Sequence, residues 1–140
     1  MMNQTTPLAE DLRISIARLS RLLRRQGGST LSVTQYSALA VLNKHGEMTP
    51  RELADHERVQ PPSMTRTVAA LEAQGLISRR PHSTDGRQVV LTVTDPGRDL
   101  LAEQRRLKEA WLAQRLSELS AIERDILTMA APVLEKLSRT

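Results

Sequence analysis

Residues 49–94 read TPRELADHERVQPPSMTRTVAALEAQGLISRRPHSTDGRQVVLTVT. Thr49-Pro50-Arg51-Glu52 has the form of a capping box, in which the Thr hydroxyl and the Glu carboxylate satisfy orphan amides reciprocally, with Pro50 just inside the helix. The helix it opens is short, carries Leu53 and Ala54 inward, and gives way to a turn around His56 to Gln60. Pro61 and Pro62 fit only a first helical turn, where no amide is needed. A second helix therefore starts there and runs to Gln74, with Gly75 as its stop. Ile77 to Arg80 and Gln88 to Thr94 then read as two strands, with Val89, Leu91 and Val93 alternating against Gln88, Val90 and Thr92. Pro81 to Gly86 is turn chemistry, and Asp85-Gly86-Arg87 tips the hairpin. Two short helices in a bend offer a helix to a DNA major groove, and an adjacent basic hairpin can reach the minor groove.

Working outward, Thr6-Pro7 offers an N-cap with Pro at the first helical position, and Glu10 and Asp11 suit the positive end of the helix dipole. Leu8, Leu12, Ile16, Leu19 and Leu23 mark one face until Gly27-Gly28 stops the helix. Ser32-Val33-Thr34-Gln35 is a capping box for a helix through Tyr36, Leu39 and Leu42 that ends near Gly46. On the other side, a long helix begins at Thr94 and carries Leu100, Gln104, Leu107 and Trp111. Ser120-Ala121-Ile122-Glu123 is a third capping box. It opens a last helix with Ile122, Ile126, Met129, Val133 and Leu137, in which Pro132 should produce a kink. The expected fold is mainly α with a small β-hairpin. Residues 29–97 form the DNA-binding domain, and 1–28 with 98–140 form a helical dimerisation region. The terminal helices are amphipathic yet far apart in sequence, so their apolar faces call for a second subunit.

The chain has 140 residues, with 20 Lys plus Arg against 16 Asp plus Glu, a formal excess of +4. That excess is unevenly placed: Arg79, Arg80 and Arg87 cluster in the hairpin, and Arg13, Arg18, Arg21, Arg24 and Arg25 crowd the first helix. The hairpin cluster reads as phosphate-binding and the first-helix cluster as solvated surface. Cys is absent, which excludes disulfides, thiolate catalysis and Cys-based zinc sites. No apolar run has the length of a membrane span and the start lacks the regions of a signal peptide, so the expected location is cytoplasmic, with no membrane partner. Tyr36 and Trp111 are the only aromatics, too few for a base-stacking platform. No Gly-x-Ser-x-Gly elbow, phosphate loop or His-Glu-x-x-His is present, so no enzyme is expected, nor a cofactor. His45, His56 and His82 are widely spaced and read as solvated, not as metal ligands.

The helix from Pro61 divides by period. Met64, Val68 and Leu71 share a face and belong to the core. Ser63, Thr65, Arg66 and Thr67 lie elsewhere, a small polar and cationic surface able to hydrogen-bond base edges, with a helix N-terminus suited to phosphate. The run from Leu53 through Arg66 to Gly75-Leu76-Ile77-Ser78-Arg79, then Asp85-Gly86-Arg87 and Leu91-Thr92-Val93-Thr94-Asp95-Pro96-Gly97, resembles the MarR family of bacterial transcription regulators. Helix order and chain length match over nearly the whole chain, and the hairpin pattern is the most specific part.

The resemblance implies a winged helix-turn-helix, dimeric through the first and last helices, on a near-palindromic operator. It places Ser63, Thr65 and Arg66 where the recognition helix touches the major groove, and Arg87 at the wing tip in the minor groove. Asp85 falls at the carboxylate that positions Arg87, and Gly86 where the family often carries another Arg. Arg79 and Arg80 complete the expected wing contacts. The resemblance also implies a small aromatic or phenolic anion as effector, for which Arg18, Tyr36, Met48 and Trp111 are the candidate lining. The expected function is a ligand-responsive repressor. A winged-helix sensor or interaction module that reads a partner protein instead of DNA is the alternative.

Overall fold

Three capping boxes set helix starts. Ser32 Oγ accepts the Gln35 amide at 3.1 Å while Gln35 Oε1 accepts the Ser32 amide at 3.2 Å. Thr49 with Glu52 and Ser120 with Glu123 repeat the reciprocal pattern. At the third box, the hydrogen bonds from the Ser120 backbone and then its side chain hold the Glu123 carboxyl below its ordinary value. The computed structural model describes residues 4–139; Met1, Met2, Asn3 and Thr140, the outermost residues of the expected dimerisation region, lie outside the described residues.

The elements are α1 (Thr5–Gln26), α2 (Val33–His45), α3 (Pro50–Glu57), α4 (Pro61–Ala73), β1 (Ile77–Pro81), β2 (Val89–Val93), α5 (Asp95–Ser117) and α6 (Ala121–Ser138). The expected class, mainly α with one antiparallel hairpin, is what forms. One helix start differs. α1 begins at Thr5 with Gln4 at its N-cap and no side-chain cap bond, so Pro7 is its third residue, not its first. Proline is tolerated throughout a first turn, whose amides have no intrahelical partner, and so does not fix the start by itself. α6 runs as helix through Pro132.

The chain divides into two compact units, Met1–Gly27 with Arg106–Thr140, and Gly28–Arg105. The second holds the whole hydrophobic core: Ala38, Leu39 and Leu42 from α2, Leu53 and Ala54 from α3, Met64, Val68 and Leu71 from α4, then Leu76, Ile77, Leu91 and Leu101. Seven of the largest are essentially inaccessible, Leu39, Leu42, Leu53, Met64, Leu71, Leu91 and Val68. In β2 the alternation is incomplete, because Val90 is buried beside Leu91. Its opposite number in the ladder is Arg80, whose alkyl stem can shade it. β2 is also bridged on its other edge by Met48, through Leu91 N–H to Met48 O at 2.7 Å.

The join between hairpin and α5 is tight. Thr94 Oγ1 donates to Gly75 O at 2.6 Å and accepts the Gly97 amide at 3.2 Å, while the Thr94 amide donates to Leu76 O at 3.0 Å. Gly97 is buried, and a Cβ there would lie 2.3 Å from Leu76 O. The helix can approach this corner only because position 97 has no side chain.

The other unit is built differently. Among the described residues, α1 and α6 contain no buried residue. Leu8, Ile16 and Leu19 on α1, and Ile122, Ile126, Met129, Val133 and Leu137 on α6, are all exposed. Ile16, Leu134 and Leu137 line an apolar groove of about 370 Å³ between these helices.

Candidate nucleic-acid interface

α4 is anchored by its inner face, and its outer face carries the candidate contacts. Met64, Val68 and Leu71 are buried, whereas Thr65 and Arg66 are exposed and Ser63 is half-buried. Arg66 Nη2 makes a long contact of 3.5 Å with Ser63 Oγ, so the guanidinium lies back along its own helix and has no ion pair among the described residues. Thr65 Oγ1 donates to Pro61 O at 3.0 Å.

Thr67 departs from the expected exposed face. It is only 8% exposed, and its hydroxyl donates to Ser63 O at 3.1 Å. Position 67 adjoins Val68 and lies three residues from Met64, so the helical period turns it toward the core. Its hydroxyl bond is of the same kind as that of Thr65, and it is burial that sets Thr67 apart from the exposed face. The N-terminus of α4 is also a weaker anion site than its position suggests. Pro61 and Pro62 bring no amide, leaving Ser63 as the one N–H donor in the first three helical positions.

Beside this face, α3 and α4 enclose a cleft of about 440 Å³ lined by Pro50, Arg51, Ala54, Asp55, Pro61, Met64 and Thr65. Arg51 is exposed at its edge and has no ion pair among the described residues. It was not singled out in the sequence, where it reads only as a filler inside a capping box.

The hairpin treats its three arginines unequally. Arg79 is paired with Glu72 of α4, Nε to Oε1 and Nη2 to Oε1 both at 2.7 Å. Arg80 is paired with Glu47, from the segment between α2 and α3. Both were expected as wing contacts, but each spends its charge on a carboxylate of its own unit. Only Arg87 stands without a carboxylate partner among the described residues, exposed at the tip. Asp85 does not hold the Arg87 guanidinium. Its Oδ1 accepts the Arg87 backbone amide at 3.1 Å and its Oδ2 the Gln88 side-chain amide at 3.4 Å, so it shapes the backbone that presents Arg87. Gly86 has no left-handed φ and open space around it, so the turn does not require glycine there.

His45 and His56 are exposed, as the solvated reading expects, and His82 is not. His82 is half-buried, and its Nδ1 accepts the amides of Thr84 at 3.2 Å and Asp85 at 3.1 Å. His45 and His56, far apart in sequence, bring their rings to 4.8 Å. Among the described residues no group of three or more His, Cys, Asp or Glu is placed to hold a metal ion.

The four candidate effector residues divide between the units. Tyr36 and Met48 pack against the core of the Gly28–Arg105 unit. Arg18 is exposed on α1, and Trp111 is half-buried on α5 with the Arg115 guanidinium 5.7 Å from its ring centre, both in the other unit. No helix among the described residues is long and apolar enough to cross a membrane.

Comparison with known proteins accords with this geometry. Residues 31–89, which hold the core helices and most of the hairpin, match the profile of the MarR family. The chain is similar to an HTH-type transcriptional regulator of Mycobacterium tuberculosis, 47% identical over 96% of this chain and 94% of that protein. Among solved structures it resembles a Pseudomonas aeruginosa protein described as a transcriptional regulator, with a TM-score of 0.90 and 29% identity over 100% of this chain and 99% of that one. It also resembles a mutant MarR of Escherichia coli complexed with operator DNA, with a TM-score of 0.69 and 23% identity over 98% and 97% of the two chains, a likeness of fold alone. These relatives are regulators, not enzymes, and the chain belongs to the MarR family of winged helix-turn-helix transcriptional regulators.

Proposed function

We propose that this regulator binds double-stranded DNA as a homodimer on a near-palindromic operator and represses transcription until a small ligand releases it. The observation that carries the DNA reading is the contrast among its arginines. Arg66 on α4 and Arg87 at the hairpin tip are left without carboxylate partners, while the arginines between them are neutralised by Glu72 and Glu47. Free cations on a helix and on a hairpin tip suit a protein that reads the major groove with one and enters the minor groove with the other. Ser63 and Thr65 join Arg66 at the base edges, and Asp85 orders the backbone that carries Arg87. The fold shared with a MarR complexed with operator DNA supports DNA as the partner.

Dimerisation is supported by α6. Its seven large exposed apolar residues, Ile122, Ile126, Leu127, Met129, Val133, Leu134 and Leu137, keep 41–76% of their surface open among the described residues. In an isologous interface each contact counts twice. At that partial exposure, burying four of the seven per protomer would contribute roughly 7–14 kcal/mol, scaled from about 1.5–3 kcal/mol for a fully exposed side chain. That is of the same order as the association cost, about 4–15 kcal/mol. A dimer seated over a promoter would exclude the polymerase, and repression by that route, on cytoplasmic DNA, is the sign proposed. An effector, a small aromatic or phenolic anion, would act by preferring one spacing of the two recognition helices. A coupling of about 1–3 kcal/mol is sufficient for a 5- to 150-fold change in affinity.

The test is selection of duplexes from random-sequence DNA by the full chain, with light scattering of the free protein and of the complex. The expected result is one enriched motif with two half-sites about 10 base pairs apart, bound by two chains. Failure to enrich any duplex refutes DNA as the partner, and a monodisperse monomer refutes the two-half-site arrangement.

A further inference from the structure

The wing loop is built around a histidine. The His82 amide donates to Gln88 O at 3.0 Å, extending the hairpin ladder one step beyond the Pro81–Val89 pair. With its backbone fixed there, the ring folds over the loop. Nδ1 lies 3.2 Å from the Thr84 amide, 3.1 Å from the Asp85 amide and 3.2 Å from the Thr84 hydroxyl. Backbone amides can only donate, so Nδ1 must be the acceptor and the ring proton must sit on Nε2. Asp85, positioned in this way, accepts the Arg87 amide on its carboxylate, and its carbonyl accepts the Gln88 amide at 3.0 Å. The dependence runs from His82 to Asp85 to Arg87.

We propose that His82 is a positioning residue of the wing: with Nδ1 unprotonated it holds the loop that presents Arg87, and proton uptake at Nδ1 releases that loop. This rests on the reading of the wing as a DNA contact. A proton on Nδ1 sets a third donor against two amide donors, and both amides lose their acceptor. A ring with a proton on Nδ1 does not fit the closed loop, so acidification is expected to shift the wing toward the open form.

The charged groups of the hairpin near the ring are Asp85, Arg87 and, two residues back on β1, Arg80. Arg80 is already paired with Glu47 from the segment before α3. A charged ring that turned to the Asp85 carboxylate would draw it from the Arg87 amide and dismantle the same loop by another route.

Added positive charge near phosphates would by itself strengthen binding, so the two effects have opposite signs. That makes the experiment decisive. The probe is a duplex selected by the full-length protein from random-sequence DNA, its affinity read by fluorescence anisotropy at fixed ionic strength from about pH 8 to about pH 5.5, where histidine changes charge. Wild type is compared with His82→Asn, whose side-chain oxygen can stand in for Nδ1 as acceptor without titrating there, and with His82→Ala. His45 and His56 are present in all three, so their contribution cancels.

Relative to His82→Asn, wild type should lose roughly tenfold in affinity as the pH falls, the equivalent of one or two net hydrogen bonds. His82→Asn should match wild type at the alkaline end, and His82→Ala should be weak throughout. In parallel, the Thr84 and Asp85 amide resonances of the DNA-free protein should move with pH in wild type and stay in place in His82→Asn. The proposal is overturned if wild type gains affinity relative to His82→Asn on acidification, if the two share one pH profile, or if His82→Ala binds like wild type at the alkaline end. Should no duplex be enriched at any pH, the DNA reading fails by itself, and the amide resonances still decide whether His82 holds the loop.

Discussion

Replacing Gly97 by Ala sets a small gain against a large clash. The new Cβ would lie 2.3 Å from Leu76 O, 2.8 Å from Val93 Cγ1 and 3.2 Å from Leu76 C. The Val93 methyl can turn away. The Leu76 carbonyl cannot, because it accepts the Thr94 amide at 3.0 Å in the corner where Thr94 Oγ1 also holds Gly75 O. Overpacking of this kind costs about 1–3 kcal/mol, and each net hydrogen bond lost adds about 1 kcal/mol. In favour of the substitution, Ala exceeds Gly in helix propensity by about 1 kcal/mol. The clash wins, with a net loss of about 2–4 kcal/mol. Thermal unfolding at one fixed chain concentration should show a midpoint lowered by roughly 5–15 °C, taking about 2–4 °C per kcal/mol for a protein near this size. Gly86→Ala is the control: nothing lies within 4 Å of that Cβ position and its φ is not left-handed, so a change within about 0.5 kcal/mol is expected. A Gly97→Ala protein as stable as its parent would refute the reasoning, as would an equal loss in Gly86→Ala.

Arg66→Ala should cost roughly 1–3 kcal/mol on the selected duplex and relax preference at one base per half-site, whereas Arg87→Ala should weaken binding more evenly across sequences. Binding-site selection with each variant checks this, and the opposite pattern would mean that helix and hairpin tip have been assigned to the wrong grooves. Arg87→Gln should flatten the log–log salt dependence of affinity by about one unit per bound wing, while Arg79→Gln should leave it unchanged, because Glu72 already neutralises Arg79. Glu72→Gln, measured in the same titration, should steepen the dependence if the freed guanidinium then reaches a phosphate. Ile126→Glu, in the middle of the exposed α6 stripe, should convert the dimer to monomer in light scattering with α2, α3 and α4 still folded; an unchanged dimer would remove α6 from the interface.

The parts of the fold that follow from local chemistry were legible in the residues. Ser32, Thr49 and Ser120 each announce a helix start because a capping box needs only four consecutive residues, and all three form. Gly46 and Gly75 announce ends because a positive φ favours glycine, and both adopt one. Pro7 misled because a proline is tolerated anywhere in a first turn. At the candidate site, Met64, Val68 and Leu71 were readable as the inner face from their spacing, but Thr67 was not, since a small polar residue beside the stripe fits either face. The pairings of Arg79 with Glu72 and of Arg80 with Glu47 join a strand to a helix and to a loop, and no periodic pattern encodes such contacts. His82 left a faint signal: it occupies the loop position where an Asn or Asp acceptor often closes a turn, and an imidazole Nδ1 can serve in the same place.

The neutralised arginines of β1 bear on how the protein tolerates a change of surroundings. Attraction to DNA of arbitrary sequence depends on the number of phosphates contacted, and falls with salt at about 0.9 log units per contact. Two free arginines per hairpin, four in a dimer, would bring about 3.6 further units of slope, roughly a hundredfold loss of random-sequence affinity between 50 and 200 mM salt. With Glu72 and Glu47 occupying those guanidinium groups, that part of the attraction is absent from the start. The protein leaves random sequence sooner, and on osmotic upshift, when ionic strength rises, it has less to lose.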